Sequence, residues 1–130
     1  MSKLRPSPKL SDAAVELIAG RFRALSEPTR LKLLMALEDG EKNVTELVNL
    51  TGATQTNVSR QLSALTTAGL LSRRKSGLSV LYRIADPGIF DLCGHVCKSL
   101  QKRFSQESEI FGQELHTGKN AQSAAAKARS

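Results

Sequence analysis

The most constraining feature of this chain is the segment 51–84, because the spacing of its apolar residues changes partway along it. The first part places apolar side chains at helical spacing between Gly52 and Gly69, and glycine is common just past the end of a helix. The second part alternates with a period of two around Ser76-Gly77, which is typical of a β-hairpin. This order predicts a helix-turn-helix followed by a wing, an arrangement that fits a protein that binds duplex DNA.

The charge of this segment supports the same interpretation. The chain has a formal net charge of +7 over 130 residues, but residues 53–85 contain no acidic side chain. A stretch without carboxylates does not repel phosphates, so it marks where a polyanion is expected to bind. The basic residues of the stretch are Arg60, Arg73, Arg74, Lys75 and Arg83.

The length and composition indicate one globular domain with flexible ends. With no Trp, one Tyr and four Phe, the chain offers few rings on which single-stranded bases would stack. The N-terminus has prolines at 6 and 8 and no apolar stretch of signal-peptide length, and no run approaches a membrane span. We therefore expect a cytoplasmic protein without a membrane partner. The predicted boundaries are a flexible arm at 1–10, a DNA-binding and dimerisation domain at 11–104, and a weakly helical, then disordered tail at 105–130.

Helical periodicity predicts the elements that surround this segment. A first helix spans about 11–25, and a second begins with Ser26 as its cap and Pro28 in its first turn. We expect four helices, ending with the one that Thr54 caps, to form the core. The last helix follows Asp86-Pro87-Gly88 and carries a continuous apolar stripe, which favours a dimer contact. The predicted fold class is mainly α with a small β-hairpin, a winged helix-turn-helix that is dimeric through terminal helices.

The helix after Thr54 provides candidate contacts to base edges. Val58 and Leu62 should pack inward, which leaves the polar residues of the first two turns outward. Gln pairs with adenine edges and Arg with guanine edges, whereas Thr and Ser contact bases or phosphates. Basic residues in the wing would contact the backbone or a minor groove and add salt-dependent affinity. The predicted DNA-binding residues are Gln55, Thr56, Asn57, Ser59, Arg60, Arg73, Arg74 and Lys75.

Three segments resemble the ArsR/SmtB family of winged-helix transcriptional repressors over about residues 20–104. FRALSEPTRLKLLMAL is similar to the opening segment of the family, TQTNVSRQLSALTTAGLL to its recognition helix, and RRKSGLSVLYRIAD to its wing. The resemblance implies a homodimer that binds an operator inverted repeat in double-stranded DNA. It also implies release when a metal, metalloid or oxidant reaches a sensing site. Gln61 departs from the family pattern, because many members carry His near this position.

The sensing site is open to three interpretations. The cysteine pair on the second helix of arsenic and cadmium sensors is absent, and the pairs that bind zinc on the last helix are not matched. The sequence retains Cys93 and Cys97, four residues apart on one helical face. They could serve as ligands for arsenite or a soft divalent metal ion such as cadmium, lead or zinc. They could also form a redox switch between subunits, or pack as small apolar residues. No cofactor is required.

Other function classes have less support in the sequence. The chain has no phosphate-binding glycine loop and no nucleophile elbow, so we do not expect an enzyme. One alternative is a winged-helix DNA-binding regulator without metal sensing, in which the cysteines are packing residues. Another is a protein interaction module that no longer binds DNA, but the polar, carboxylate-free face of residues 54–60 argues against it.

Overall fold

A computed structural model describes residues 9–105 of the chain. They divide after Ala85 into two compact units. The first unit contains α1 (Asp12–Ala24), α2 (Pro28–Ala36), β1 (Lys42–Asn43), α3 (Val44–Thr51), α4 (Gln55–Thr67), β2 (Leu71–Ser76) and β3 (Ser79–Ile84); the second contains α5 (Ile89–Arg103). The predicted arm and tail lie outside the described residues apart from Lys9, Leu10 and Ser105.

The core of the first unit is formed by leucines from three helices and the start of the hairpin. α2 and its cap contribute three side chains, α3 one and α4 three, and residues from β2, β3 and the loop before β2 complete it. Their burial follows from the 3.6-residue spacing of apolar positions in each helix. The large buried apolar residues of this unit are Leu33, Leu34, Leu37, Leu47, Val58, Leu62, Leu65, Leu70, Leu71 and Tyr82.

The expectation that α1 belongs to this core is wrong. Ala24 is its buried residue, whereas Leu17 is 77% exposed and Ile18 and Phe22 are also exposed. Polar contacts hold the end of α1 instead: the Arg21 guanidinium donates to the carbonyl of Ala68 at 3.5 Å. The periodicity was correct for a helix, but periodicity alone does not say which surface covers the apolar face.

Local capping explains where the helices begin. α2 has Pro28 in its first turn, as predicted, but its N-cap is Glu27 rather than Ser26. The Glu27 carboxylate accepts a hydrogen bond from the backbone N–H of Arg30 at 2.9 Å, whereas the Ser26 hydroxyl donates to the carbonyl of Arg23. The Ser26 side chain therefore satisfies the end of α1, because its hydroxyl can donate and a carboxylate cannot.

The three strands form an antiparallel sheet in the order β1-β3-β2. β2 pairs with β3 from Leu71 opposite Ile84 to Ser76 opposite Ser79, as the hairpin pattern predicts. Gly77 has a φ of 65°, and a glycine with positive φ at the first turn position suits a two-residue hairpin. β1 adds a third, two-residue strand at the free edge of β3.

The second unit consists of α5 in the described part of the chain. Asp91 lies in its first turn, and Lys102 and Arg103 lie in its last turn, charges that complement the helix dipole. Val96 and Leu100 are exposed, whereas Cys93 and Cys97 are half-buried. Over residues 9–105, no helix has the combination of length and apolar composition that a membrane crossing needs.

Candidate nucleic-acid interface

α3 and α4 form a helix-turn-helix whose turn is fixed by backbone geometry and caps. Gly52 ends α3 in the left-handed region at φ 76°, a conformation that glycine adopts without a steric penalty. Thr54 then caps α4, and its hydroxyl accepts a hydrogen bond from the backbone N–H of Asn57 at 3.1 Å. α3 begins with a reciprocal capping box between Asn43 and Glu46. Gly52 and Thr54 therefore fix the two helix ends that meet at the turn, and the capping box fixes the opposite end of α3.

The polar residues of the first turns of α4 lie on its exposed side. Val58 and Leu62 are fully buried and fix the inner side of the helix, while the outer side is accessible, as expected for a recognition helix. No acidic residue lies in the first turn. The geometry is suited to contacts with base edges, and contact with DNA stays a prediction for these residues. The exposed members of the predicted set are Gln55, Thr56, Ser59 and Arg60.

Asn57 differs from the other predicted contacts because it is half-buried and hydrogen-bonded within the protein. Its Oδ1 accepts from Nε2 of Gln61 at 3.1 Å. Gln61 is itself only 7% exposed, and its Oε1 accepts from Nε of Arg30 at 2.7 Å. Sequence reasoning missed Arg30, and it noted Gln61 only as a departure from the family pattern and not as a partner of Asn57. The spacing of Asn57 and Gln61, one helical turn apart, was a usable signal.

The wing does not present its three basic residues as one group. Side chains alternate between the faces of a strand, so Arg73 and Lys75 lie on the face of Tyr82, which pairs with Arg73. Arg74 pairs with Leu81 and lies on the opposite face. Arg83 is two residues beyond Leu81 on the same strand, so it lies on that face as well. All three members of the predicted basic group are exposed.

Arg74 has a carboxylate partner that the local sequence does not reveal. Its guanidinium donates two hydrogen bonds to Glu41, from Nη2 to Oε1 at 2.5 Å and from Nε to Oε2 at 3.2 Å. The hydrogen bond to Arg74 is the main reason that the pKa of Glu41 lies below its ordinary value. The same contact raises the pKa of Arg74. Although residues 53–85 contain no acidic residue, the fold brings one to the wing.

The two cysteines lie one turn apart on α5 and are free thiols. Burial raises the pKa of Cys93, and the neighbouring Cys97 raises it further. Reactive cysteines usually have a lowered pKa, so this environment does not favour the thiolate. Within the residues that the structure describes, no three His, Cys, Asp or Glu side chains cluster as a metal site would require. One described chain thus offers two sulfurs, fewer than a complete soft-metal site needs.

Known proteins with similar sequences are bacterial regulators. The family described as bacterial regulatory protein, arsR family, matches residues 27–73. A "Probable mercury resistance operon repressor" from Streptomyces lividans is 44% identical over 71 residues, which cover 55% of this chain and 57% of that protein. The match thus spans little more than half of that relative. The transcriptional regulator NmtR from Mycobacterium tuberculosis is 35% identical over 88 residues, which cover 68% of this chain and 73% of NmtR.

The fold agrees with a solved structure from the same group. The homodimeric winged helix-turn-helix DNA-binding domain of a possible ArsR-family transcriptional regulator from Mycobacterium bovis is 31% identical, with a TM-score of 0.64. The similarity covers 74% of this chain and 95% of that one. Identity above 30% over most of a relative's length, together with the helix-turn-helix and the wing, determines the assignment. This chain belongs to the ArsR family of winged helix-turn-helix regulators.

Proposed function

We propose that this protein is a transcriptional repressor that binds an operator inverted repeat in duplex DNA as a homodimer. The observation that carries this proposal is the exposed face of α4, where Gln55, Thr56, Ser59 and Arg60 are accessible. They project from a helix that a buried core and a capped turn hold in place. Rigid support of this kind is what base recognition requires, since the side chains must match the positions of base edges.

A homodimer suits both the proposed operator and the exposed apolar surface of α1. A two-fold dimer presents two recognition helices to half-sites about one helical turn apart. Leu17, Ile18 and Phe22 expose an apolar face along α1, and such faces on a soluble protein commonly mark an interface. On α5, Val96 and Leu100 do the same. The Mycobacterium bovis domain, described as homodimeric, supports a second copy as the partner.

The proposed signal is a thiol-binding agent that acts at Cys93 and Cys97. Two half-buried thiols one turn apart can share an arsenite or a soft metal ion, and a second copy would raise the number of available sulfurs to four. The Streptomyces lividans relative, named as a mercury resistance operon repressor, favours a soft metal as the class of ligand. The raised pKa of Cys93 disfavours the thiolate that an oxidant and a metal ion both require, so it does not distinguish these two signals.

A DNA-binding regulator without metal sensing is the second candidate. Both cysteines lie on the apolar stripe of α5, where they can act as small apolar residues. The two candidates share a non-enzymatic, cytoplasmic role, which agrees with the description of the relatives as regulators. They differ in whether a soft metal changes the affinity for DNA.

Fluorescence anisotropy on duplex DNA selected by the reduced protein tests both parts of the proposal. Arsenite, cadmium, lead, zinc and peroxide are titrated at fixed salt into complexes of the wild type and of the Cys93→Ser/Cys97→Ser variant. Release of the wild type alone by one agent supports sensing at these thiols. An equal response of the variant shows that the cysteines are not the sensor and that the signal acts elsewhere, whereas no response of either protein favours the second candidate. Failure to select any sequence contradicts operator binding itself.

A further inference from the structure

Three side chains, joined by hydrogen bonds, connect α2 to the first turn of α4. The guanidinium Nε of Arg30 donates to Oε1 of Gln61 at 2.7 Å, and Nε2 of Gln61 donates to Oδ1 of Asn57 at 3.1 Å. Gln61 is 7% exposed, so the middle side chain of the three is shielded from water. Buried polar side chains keep their hydrogen bonds, since a missing partner costs the full desolvation penalty. We refer to Arg30, Gln61 and Asn57 as the amide relay.

Arg30 is held in place independently of the relay. Its Nη1 lies 3.4 Å from the carbonyl oxygens of Arg23 and Ala24, to which it donates. Its own backbone N–H is bound by the Glu27 carboxylate. The guanidinium therefore has a fixed position between the end of α1 and the buried side of α4.

The direction of every hydrogen bond in the amide relay follows from Arg30. A guanidinium can only donate, so Gln61 must turn its oxygen toward Arg30 and its NH2 group toward Asn57. Asn57 must then turn its Oδ1 toward Gln61. Because the oxygen and nitrogen of an amide lie on opposite sides of its carbon, the NH2 group of Asn57 is directed away from Gln61. The Asn57 amide could in principle donate or accept, but in the relay its oxygen binds Gln61. Asn57 therefore offers its NH2 group, a donor, to an external ligand.

We propose that Asn57 contacts the operator as a hydrogen-bond donor, with Arg30 and Gln61 as positioning residues that set this polarity. The inference rests on the proposed operator binding. An Asn that presents both groups can pair with the N6 and N7 edge of adenine. With its oxygen committed to Gln61, Asn57 should instead favour the major-groove acceptors O6 and N7 of guanine or O4 of thymine. The expected preference at one base pair is for a keto base, guanine or thymine, on the contacted strand.

The Gln61→Glu variant tests the polarity. A carboxylate accepts from Arg30 in the same way but offers no donor to Asn57. The Asn57 amide must then turn its NH2 group toward residue 61 and its oxygen outward. An outward acceptor favours the exocyclic amino groups of cytosine or adenine. The variant should therefore exchange a keto preference for an amino preference at one base pair and leave the other positions of the site unchanged.

The experiment is selection from a randomised duplex library, followed by affinity measurements on the wild-type site and its single-base variants. Asn57→Ala identifies the base pair that Asn57 contacts, where discrimination should fall by about fivefold or more, the lower end of what a mismatch costs. Gln61→Glu should reverse the preference at that same pair. Ser63→Glu is the control, since it adds the same charge to an exposed position of α4 and should weaken all sequences alike.

A second variant keeps the test decisive if Gln61→Glu fails to give the circular dichroism spectrum of a folded protein. Asn57→Asp accepts from Gln61 with one oxygen and offers the other outward, so it should produce the same change toward amino bases. The inference is overturned if Asn57→Ala alters no base preference. It is also overturned if both Gln61→Glu and Asn57→Asp weaken binding uniformly, as Ser63→Glu does. Absence of any enriched sequence with the wild type would instead contradict operator binding.

Discussion

Arg60 is the charged side chain of α4, and it lies on the exposed face beside Ser59. If its guanidinium binds a guanine edge, Arg60→Ala should cost about 1–3 kcal/mol of binding free energy on the selected site and relax the preference at one base pair. The binding free energy on random DNA should fall by less, because a specific base contact contributes little to binding there. Titrations of both DNAs at the same salt concentration measure the difference. Equal losses on the two DNAs would show that Arg60 contacts phosphate only.

Glu41 is expected to lower the affinity of the wing for DNA, because its carboxylate occupies the Arg74 guanidinium. Glu41→Gln removes that charge, so Arg74 should become available to a phosphate. The affinity should rise, and the slope of log K against log salt should become steeper by about 0.9, the value for one phosphate contact. Glu16→Gln changes the net charge equally at an exposed position of α1 and is the control. Identical salt slopes for the two variants would contradict the expectation.

Cys93 gives a prediction about pH, because burial and the neighbouring Cys97 both raise its pKa. A raised pKa keeps the protonated thiol to higher pH, and alkylation proceeds through the thiolate. The rate of Cys93 alkylation should therefore reach half its maximum at a higher pH in the native protein than in the urea-unfolded chain. In Cys97→Ser this midpoint should move down part of the way, since one of the two causes is removed. Peptide mass spectrometry resolves the rate for Cys93, and coincident native and unfolded profiles would disprove the shift.

At the scale of the element, the stability of α4 depends on its N-cap. Thr54→Ala removes the acceptor of the Asn57 backbone N–H and should lower the free energy of unfolding by about 1 kcal/mol. Thr67→Ala is the matched control, because Thr67 is exposed at the end of α4 and has no capping role there. Urea unfolding of both variants measures the contrast. Equal destabilisation would show that the cap contributes nothing specific.

The elements themselves could be predicted from local sequence, whereas several contacts between them could not. Thr54 and Gly69 delimit α4 because a hydroxyl cap and a left-handed glycine act within a few residues of the helix. The cap of α2 was misassigned, since Ser26 and Glu27 are adjacent and both residue types can accept a backbone N–H. The pair Glu41–Arg74 joins residues 33 positions apart, and no local pattern encodes such a distance.

The amide relay shows the same division between local and tertiary information. The interval between Asn57 and Gln61 is a local signal, but Arg30 comes from another helix, 31 residues from Gln61. For α1 the local pattern is visible in the sequence, but the surface that covers its apolar face is not. The apolar spacing correctly predicts a helix with one apolar face. It does not say whether that face packs in the core of the same chain or against a second copy.

At the scale of the whole molecule, recognition of an inverted repeat requires that two copies hold their α4 helices at a fixed separation. The exposed apolar residues of α1 are the proposed contact, and Leu17, at 77% exposure, is the most accessible of those on this helix. In a two-fold interface each residue contributes twice. Loss of two buried leucines costs about 3–6 kcal/mol, which corresponds to a dimer dissociation constant roughly a hundredfold higher or more.

Leu17→Glu should therefore shift the protein from dimer to monomer in sedimentation equilibrium, while its circular dichroism spectrum stays that of the wild type because the position is exposed. The matched control is Leu78→Glu, since Leu78 is fully exposed at the tip of the wing and lies outside the proposed interface. The control should remain dimeric. The Leu17→Glu monomer should also bind the full inverted repeat more weakly than the wild type, and the loss should shrink on a single half-site, where a second copy gives no advantage. A Leu17→Glu protein that stays dimeric at the same concentrations would remove α1 from the interface.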